Sequence, residues 1–298
     1  RGGLGWLEGF NEFMVRCGLE YAGHPGTDEF TNNAGDTATM DLTLHGKIGN
    51  IPASEVEVLI EQEAPHRIHL RGVVHERLFF GPKLQLTADV STVPGENELR
   101  LQDEVTNLSA TPQEMQLIYH TNYGQGVTGS GALLEKGAKV VVPVNLLAPM
   151  NEQAAKAISS WDTYQEPIPG FIEEVYLIHP YANAEGKTGV LLQNAEGDRG
   201  TSIHWNVKEL PYFTIWKNTV AKEDGYVTGL EPATGFPYNR KVEREAGRVP
   251  VLEPGASRQF TLDFVIHSDA TSVSQAIKTI SGYQGDRQAE VLERPLSD

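Results

Sequence analysis

Asn97-Glu98-Leu99-Arg100-Leu101-Gln102-Asp103-Glu104-Val105-Thr106 repeats at a period of two, with Leu99 and Leu101 on one face and Arg100, Gln102, Glu104 and Thr106 on the other. That is the spacing of a strand with one side against a core and the other in water. Phe260, Leu262, Phe264 and Ile266 repeat the device near the C-terminus. Working outward from these two stretches, from residue 36 onward, the same period predicts strands over 39–44, 55–61, 67–74, 83–91, 113–122, 138–144, 173–178, 188–194, 200–206, 211–217 and 225–231. Turn signals such as Pro94-Gly95-Glu96-Asn97, Glu196-Gly197-Asp198 and Glu253-Pro254-Gly255 separate them. Only two helices are predicted, at about 151–160 and 269–281, the second capped by Asp269 and striped by Val273, Ile277 and Ile280. Many close-set strands without amphipathic helices between them predict an all-β protein of large antiparallel sheets packed face to face. With no repeat and no linker, one continuous domain over 1–298 is expected.

The 298 residues are enough to bury a sizeable core. Net charge is 24 − 40 = −16, which opposes binding to nucleic acid or to an anionic membrane surface. No apolar run is long enough to span a bilayer and no secretory leader is visible, so a cytoplasmic location is expected. The lone Cys17 excludes an internal disulfide framework and a cysteine metal cluster. His66, His69 and His75 show no fixed carboxylate among them that would complete a metal site. Asn107-Leu108-Ser109 matches a glycosylation sequon, read here as coincidence.

Chemistry gathers in five places. Gly229-Leu230-Glu231-Pro232-Ala233-Thr234-Gly235-Phe236-Pro237 reads as a strand running into a stiff turn with Glu231 at its mouth; alone, such a glutamate is usually a surface charge, so the rest of the chain must supply its partners. Leu44-His45-Gly46-Lys47-Ile48-Gly49-Asn50 ends a strand where glycines allow a close approach to the backbone, so His45 is either a ligand contact or a turn histidine bonded to backbone. Gln116-Leu117-Ile118-Tyr119-His120-Thr121-Asn122-Tyr123-Gly124 switches from apolar to polar and aromatic, as a pocket wall does; His120 can exchange protons near neutrality and Asn122 can bind hydroxyls. In Leu210–Asn218 the alternation puts Tyr212, Thr214, Trp216 and Asn218 on one face and Phe213, Ile215 and Lys217 on the other. An aromatic beside amide and ammonium donors suits a pyranose, although aromatic residues in strands also build cores. Glu173 and Glu174 open another strand, and only one of them can face a given side.

The order of these elements is more informative than any one of them. Met14-Val15-Arg16-Cys17-Gly18, Leu44-His45-Gly46-Lys47-Ile48-Gly49-Asn50-Ile51-Pro52-Ala53, Tyr119-His120-Thr121-Asn122, the acidic pair at 173–174 and Glu231-Pro232-Ala233-Thr234-Gly235 together resemble the aldose 1-epimerases, or galactose mutarotases. They are closest to the uncharacterised bacterial aldose 1-epimerase-like branch. The resemblance runs from Arg16 to the final strand and implies a β-supersandwich, with some of the family's N-terminal strands expected upstream. It implies that Glu231 is the general base and His120 the general acid, and that Arg16 and His45 bind the sugar near the reacting centre. Asn122, Trp216, Lys217 and Glu173 or Glu174 complete the candidate substrate contacts. In the mutarotases an aspartate stands where this chain has Glu173 or Glu174, and the histidine motif continues differently, which bears on the sugar more than on the chemistry. The implied activity is cofactor-independent interconversion of anomers at C1 by a monomer or homodimer. The alternatives are isomerisation of an acidic or phosphorylated sugar, for which Lys47, Lys217 and Arg240 would supply positive charge, and carbohydrate binding without catalysis.

Overall fold

The computed structural model describes residues 2–124 and 133–296. In chain order the strands are β1 (Met14–Leu19), β2 (Gly26–Thr31), β3 (Thr37–Leu42), β4 (Glu55–Ile60), β5 (Ile68–Arg77), β6 (Lys83–Thr92), β7 (Glu98–Asn107), β8 (Gln113–Glu114), β9 (Gln116–Gly124) and β10 (Lys139–Val141). They continue with β11 (Val144–Pro149), β12 (Glu174–Pro180), β13 (Lys187–Gln193), β14 (Gly200–Asn206), β15 (Tyr212–Asn218), β16 (Val227–Ala233), β17 (Val251–Leu252), β18 (Ser257–His267) and β19 (Glu290–Val291). The α-helices among the described residues are α1 (Glu152–Lys156), α2 (Arg240–Glu245) and α3 (Ala270–Gln284). The predicted all-β class is what the chain adopts, in large and mainly antiparallel sheets.

The chain divides into two compact units. The first takes in Arg1–Pro94, Arg100–His120 and Ala233–Thr261. Within it β4, β5, β6 and β7 follow one another as an antiparallel meander, β1 lies beside β9, and β2–β3 and β8–β17 are separate antiparallel pairs. The alternation that opened the sequence reading sets the core: Leu101 and Val105 of β7 are buried with Leu84 and Leu86 of β6, while Gln102 is exposed. Asp103 lies on the same buried face as the leucines, where an acid is costly unless paired.

The second unit comprises Gly95–Leu99, Thr121–Pro232 and Leu262–Asp298. One run of strands is β16-β15-β12-β11, with the short β19 added parallel to β11; another is β10-β13-β14-β18. Helix α3 starts where expected. The Asp269 side chain accepts from Ser272 N in a capping box, and Val273, Ala276 and Ile280 pack on Leu191 of β13.

Four local expectations change. Strands β1 and β2 precede residue 36, where Gly18 and the polar Gly-Thr-Asp-Glu-Phe-Thr of β2 conceal the period. Helix α2 has no apolar stripe to announce it; Arg240 and Arg244 hold it by ion pairs to Asp28 and Glu114. The expected 151–160 helix breaks into α1 and a 3-10 turn at Ile158–Ser160. Strand β16 runs on to Ala233, so Glu231 sits inside a strand and is buried, and not at the mouth of a turn; Gly229 and Pro232, read as punctuation, are carried along by the sheet.

Candidate functional site

In the first unit the site is built around two imidazoles. His45 follows β3 in a tight corner, with φ of 59° at His45 and 73° at Gly46. A Cβ on residue 46 would lie 2.2 Å from Tyr21 O and 2.4 Å from Gly18 O, so only glycine fits between those carbonyls. The corner delivers the His45 ring to Trp6, 4.7 Å between centroids at 66°, and to His120, 5.4 Å at 76°. Phe10 meets His120 edge to face at 5.3 Å, and Trp6 lies 5.8 Å from it. Behind these rings sit Val15, Cys17, Ala22, Leu44, Ile118 and Ala233. Burial pushes His45 well below the usual histidine range, helped by the neighbouring His120 and His24, so His45 is neutral at neutral pH. Its Nδ1 is buried and meets no hydrogen-bond partner among the described residues.

Arg16 occupies a different place from the histidines. Val15 and Cys17 face the Trp6 cluster, so Arg16 projects from the other side of β1, where Nε and Nη2 reach Asp103 at 2.5 and 2.9 Å. Tyr119, which alternates with His120 along β9, donates its hydroxyl to the same Asp103 carboxylate at 2.9 Å. The first unit therefore joins His45 to His120 and separates Arg16 from both.

In the second unit the register separates the two candidate acids. Glu174 stands opposite Lys217 in the β12–β15 ladder, and both are buried. Lys217 Nζ donates to Ser160 O and Thr163 O at 2.9 Å each, lies 4.0 Å from Glu174 Oε2, and rests 5.0 and 5.4 Å from the ring centres of Tyr164 and Tyr176. Burial pulls its ammonium down to about 8. Glu173 belongs with the other face of β15, where its carboxylate accepts the Trp216 indole N–H at 2.8 Å. Glu231 is pushed up to about 8, first by burial and then by the charge of Glu173. Glu173, Trp216 and Glu231 thus form one group, and Glu174 with Lys217 another. Asn122 lies two residues beyond His120 in β9 and is partly exposed.

The raised Glu231 has a consequence for stability. Between about 4.5 and about 8 the folded chain holds a proton there that the unfolded chain releases, so this group's contribution to stability is lost as pH rises through that window. Replacing Glu173 by Gln removes one cause of the shift. The expected result is a Glu231 titration at lower pH, read by carboxyl NMR in the variant and the parent protein.

Three participants, Trp6, Phe10 and Asp103, belong to none of the sequence motifs. Trp6 and Phe10 come from a glycine-rich segment without periodicity, so nothing marked them. Asp103 had a usable signal, an acid at a leucine position of a strict alternation.

A family model for a domain of unknown function, DUF4432, matches residues 1–266 of this chain. The chain belongs to the DUF4432 family. Over its whole length the DUF4432 chain is also similar to the crystal structure of a proposed aldose 1-epimerase from Klebsiella pneumoniae subsp. pneumoniae. The identity is 41%, the TM-score 0.91, and 74% of that chain is covered. A galactose mutarotase-like protein from Clostridium acetobutylicum matches at a TM-score of 0.56 and 13% identity, over 85% of this chain and 79% of that one. A proposed aldose 1-epimerase from Escherichia coli K12 matches at 0.57 and 13%, over 86% and 84%. The last two speak for the galactose mutarotase-like fold alone; the first, at 41% identity, bears out the family resemblance. No curated protein matches it.

Proposed function

We propose that this chain is a carbohydrate epimerase that interconverts the anomers of an aldose at C1 without a cofactor. The observation that carries the reading is the buried Glu231, whose proton affinity is raised to about 8 beside Glu173, in a chain whose sequence also supplies the paired imidazoles His45 and His120. The similarity to the Klebsiella pneumoniae protein supports it.

The roles follow from the chemistry of ring opening. Glu231, once ionised, takes the proton of the C1 hydroxyl, and His120 gives a proton to the ring oxygen. The C1–O5 bond breaks and the C1–O1 bond becomes a carbonyl. Rotation about C1–C2 presents the other face of the aldehyde, and both proton transfers reverse as the ring closes. A group with a pKa near the working pH suits a step that runs in both directions. His45, neutral and with a buried ring nitrogen, is assigned a hydrogen bond to the sugar. Trp216, fixed by Glu173, is assigned the apolar face of the ring. Arg16, Asn122, Lys217 and Glu174 are assigned the support of these contacts.

The substrate is assigned as a neutral sugar. Of the three cations that could hold an anionic substituent, Lys217 is committed to Ser160 O and Thr163 O, and Arg240 to Asp28 at 2.6 Å. Lys47 is held by Glu20 at 2.8 Å. Calorimetric titration with neutral, carboxylated and phosphorylated monosaccharides tests this. Binding confined to neutral sugars is expected; preference for a charged sugar would overturn the assignment.

A further inference from the structure

We propose that Glu76 is a positioning residue for His45, acting through the backbone of residues 18–20; the proposal rests on the reading of His45 as a sugar contact. Glu76 comes from β5 and belongs to none of the motifs that carry the family resemblance. Its two carboxylate oxygens accept the N–H groups of Leu19 and Glu20 at 2.9 Å each. The segment it grips is locked to the His45 corner: Gly18 N donates to His45 O at 3.1 Å, and Lys47 N donates to Gly18 O at 2.8 Å. Further on, His45 N donates to Gly23 O at 2.9 Å, and Lys47 Nζ reaches Glu20 Oε2 at 2.8 Å. Gly46 is wedged between the Gly18 and Tyr21 carbonyls.

The corner has no slack to absorb a shift. His45 holds a left-handed φ of 59°, a conformation that persists in a non-glycine residue only where its surroundings determine it. A displacement of Leu19–Glu20 therefore passes through Gly18 to the His45 backbone, and from there to a ring packed 4.7 Å from Trp6 and 5.4 Å from His120. The carboxylate is only 4% exposed, and burial raises its pKa, so a charge here is costly unless it performs a task. Two backbone N–H groups held in bidentate fashion are that task.

The test uses Glu76→Gln. The amide oxygen still accepts one N–H, while the amide nitrogen confronts the other. In protein labelled with ¹⁵N at histidine, the His45 ring signals, assigned with His45→Gln, should move or broaden. The kcat/KM for anomer exchange should fall by up to roughly 10²-fold, the scale of a group misplaced by about 1 Å. Asp269→Ala, which removes the cap of α3, serves as a control that destabilises the chain and should leave the His45 signals in place. If Glu76→Gln does not fold, Glu76→Asp, which keeps the charge but shortens its reach, is read in the same way. Unmoved His45 signals in a folded Glu76 variant would overturn the proposal. Because the ring signals are read without turnover, a chain with no epimerase activity would refute the function while leaving this test intact.

Discussion

Glu231→Gln is expected to lower the protein-dependent rate of anomer exchange by about 10²–10⁴-fold, the range for removal of one positioned acid–base group, while the fold is retained. Gln has nearly the shape of Glu and carries no charge. At neutral pH the carboxyl of Glu231, pushed up to about 8, is itself mostly protonated, so the substitution resembles the resting state of the parent chain. Thermal stability near pH 7 should therefore change little, which separates a chemical loss from a structural one. The parent pH–activity profile should carry a limb near 8 that belongs to Glu231, and Glu173→Gln should move that limb to lower pH. A parent profile flat from pH 6 to 9, or a Glu231→Gln protein of full activity, would remove Glu231 as the base.

Asp103→Ala is expected to be the most destabilising single change near the site, by about 3–5 kcal/mol, because it strands the Arg16 guanidinium without its partner. Asp103 is fully buried, is held by two Arg16 nitrogens, and accepts the Tyr119 hydroxyl as well. A loss of that size lowers the melting temperature by roughly 5–8 °C in a chain of 298 residues. Replacing both partners by apolar residues of similar volume, as in Arg16→Met with Asp103→Leu, should recover most of the loss, since the cost lies in the orphaned charge. A fall below about 1 kcal/mol for Asp103→Ala would mean that Arg16 finds water or another acceptor. The same experiment bears on the role implied for Arg16, because a guanidinium clamped in this way orients β1 and the cluster on its far side more directly than it reaches a sugar.

The sheets were legible because burial on one side writes itself into a strand at period two, as in Leu99, Leu101 and Phe260 to Ile266. Legibility failed where something other than a single buried face held the chain. Helix α2 is fixed by ion pairs to residues about 130 or more positions away, which no local window contains. Trp6 and Phe10 lie in a segment shaped by contacts with the His45 corner and not by its own spacing. Glu231 was visible as an acid in a motif, yet its glycine and prolines pointed to a turn; the neighbouring strands decide that it is buried. The choice between Glu173 and Glu174 could not be made from sequence, since one residue of register reverses the two faces, and only the β12–β15 pairing shows that Glu174 stands opposite Lys217. Among the histidines, spacing alone could not show that His45 and His120 meet while His69 instead pairs with Asp89.

The measurement that tests the central claim most directly is two-dimensional NMR exchange between the α and β anomer signals of a panel of neutral aldoses, with and without the protein. For at least one sugar the exchange rate should rise in proportion to protein concentration, and Glu231→Gln should return it to the buffer rate. A folded protein that binds one of these sugars and leaves every anomer exchange at the buffer rate would contradict the account, and would make the chain a carbohydrate-binding protein.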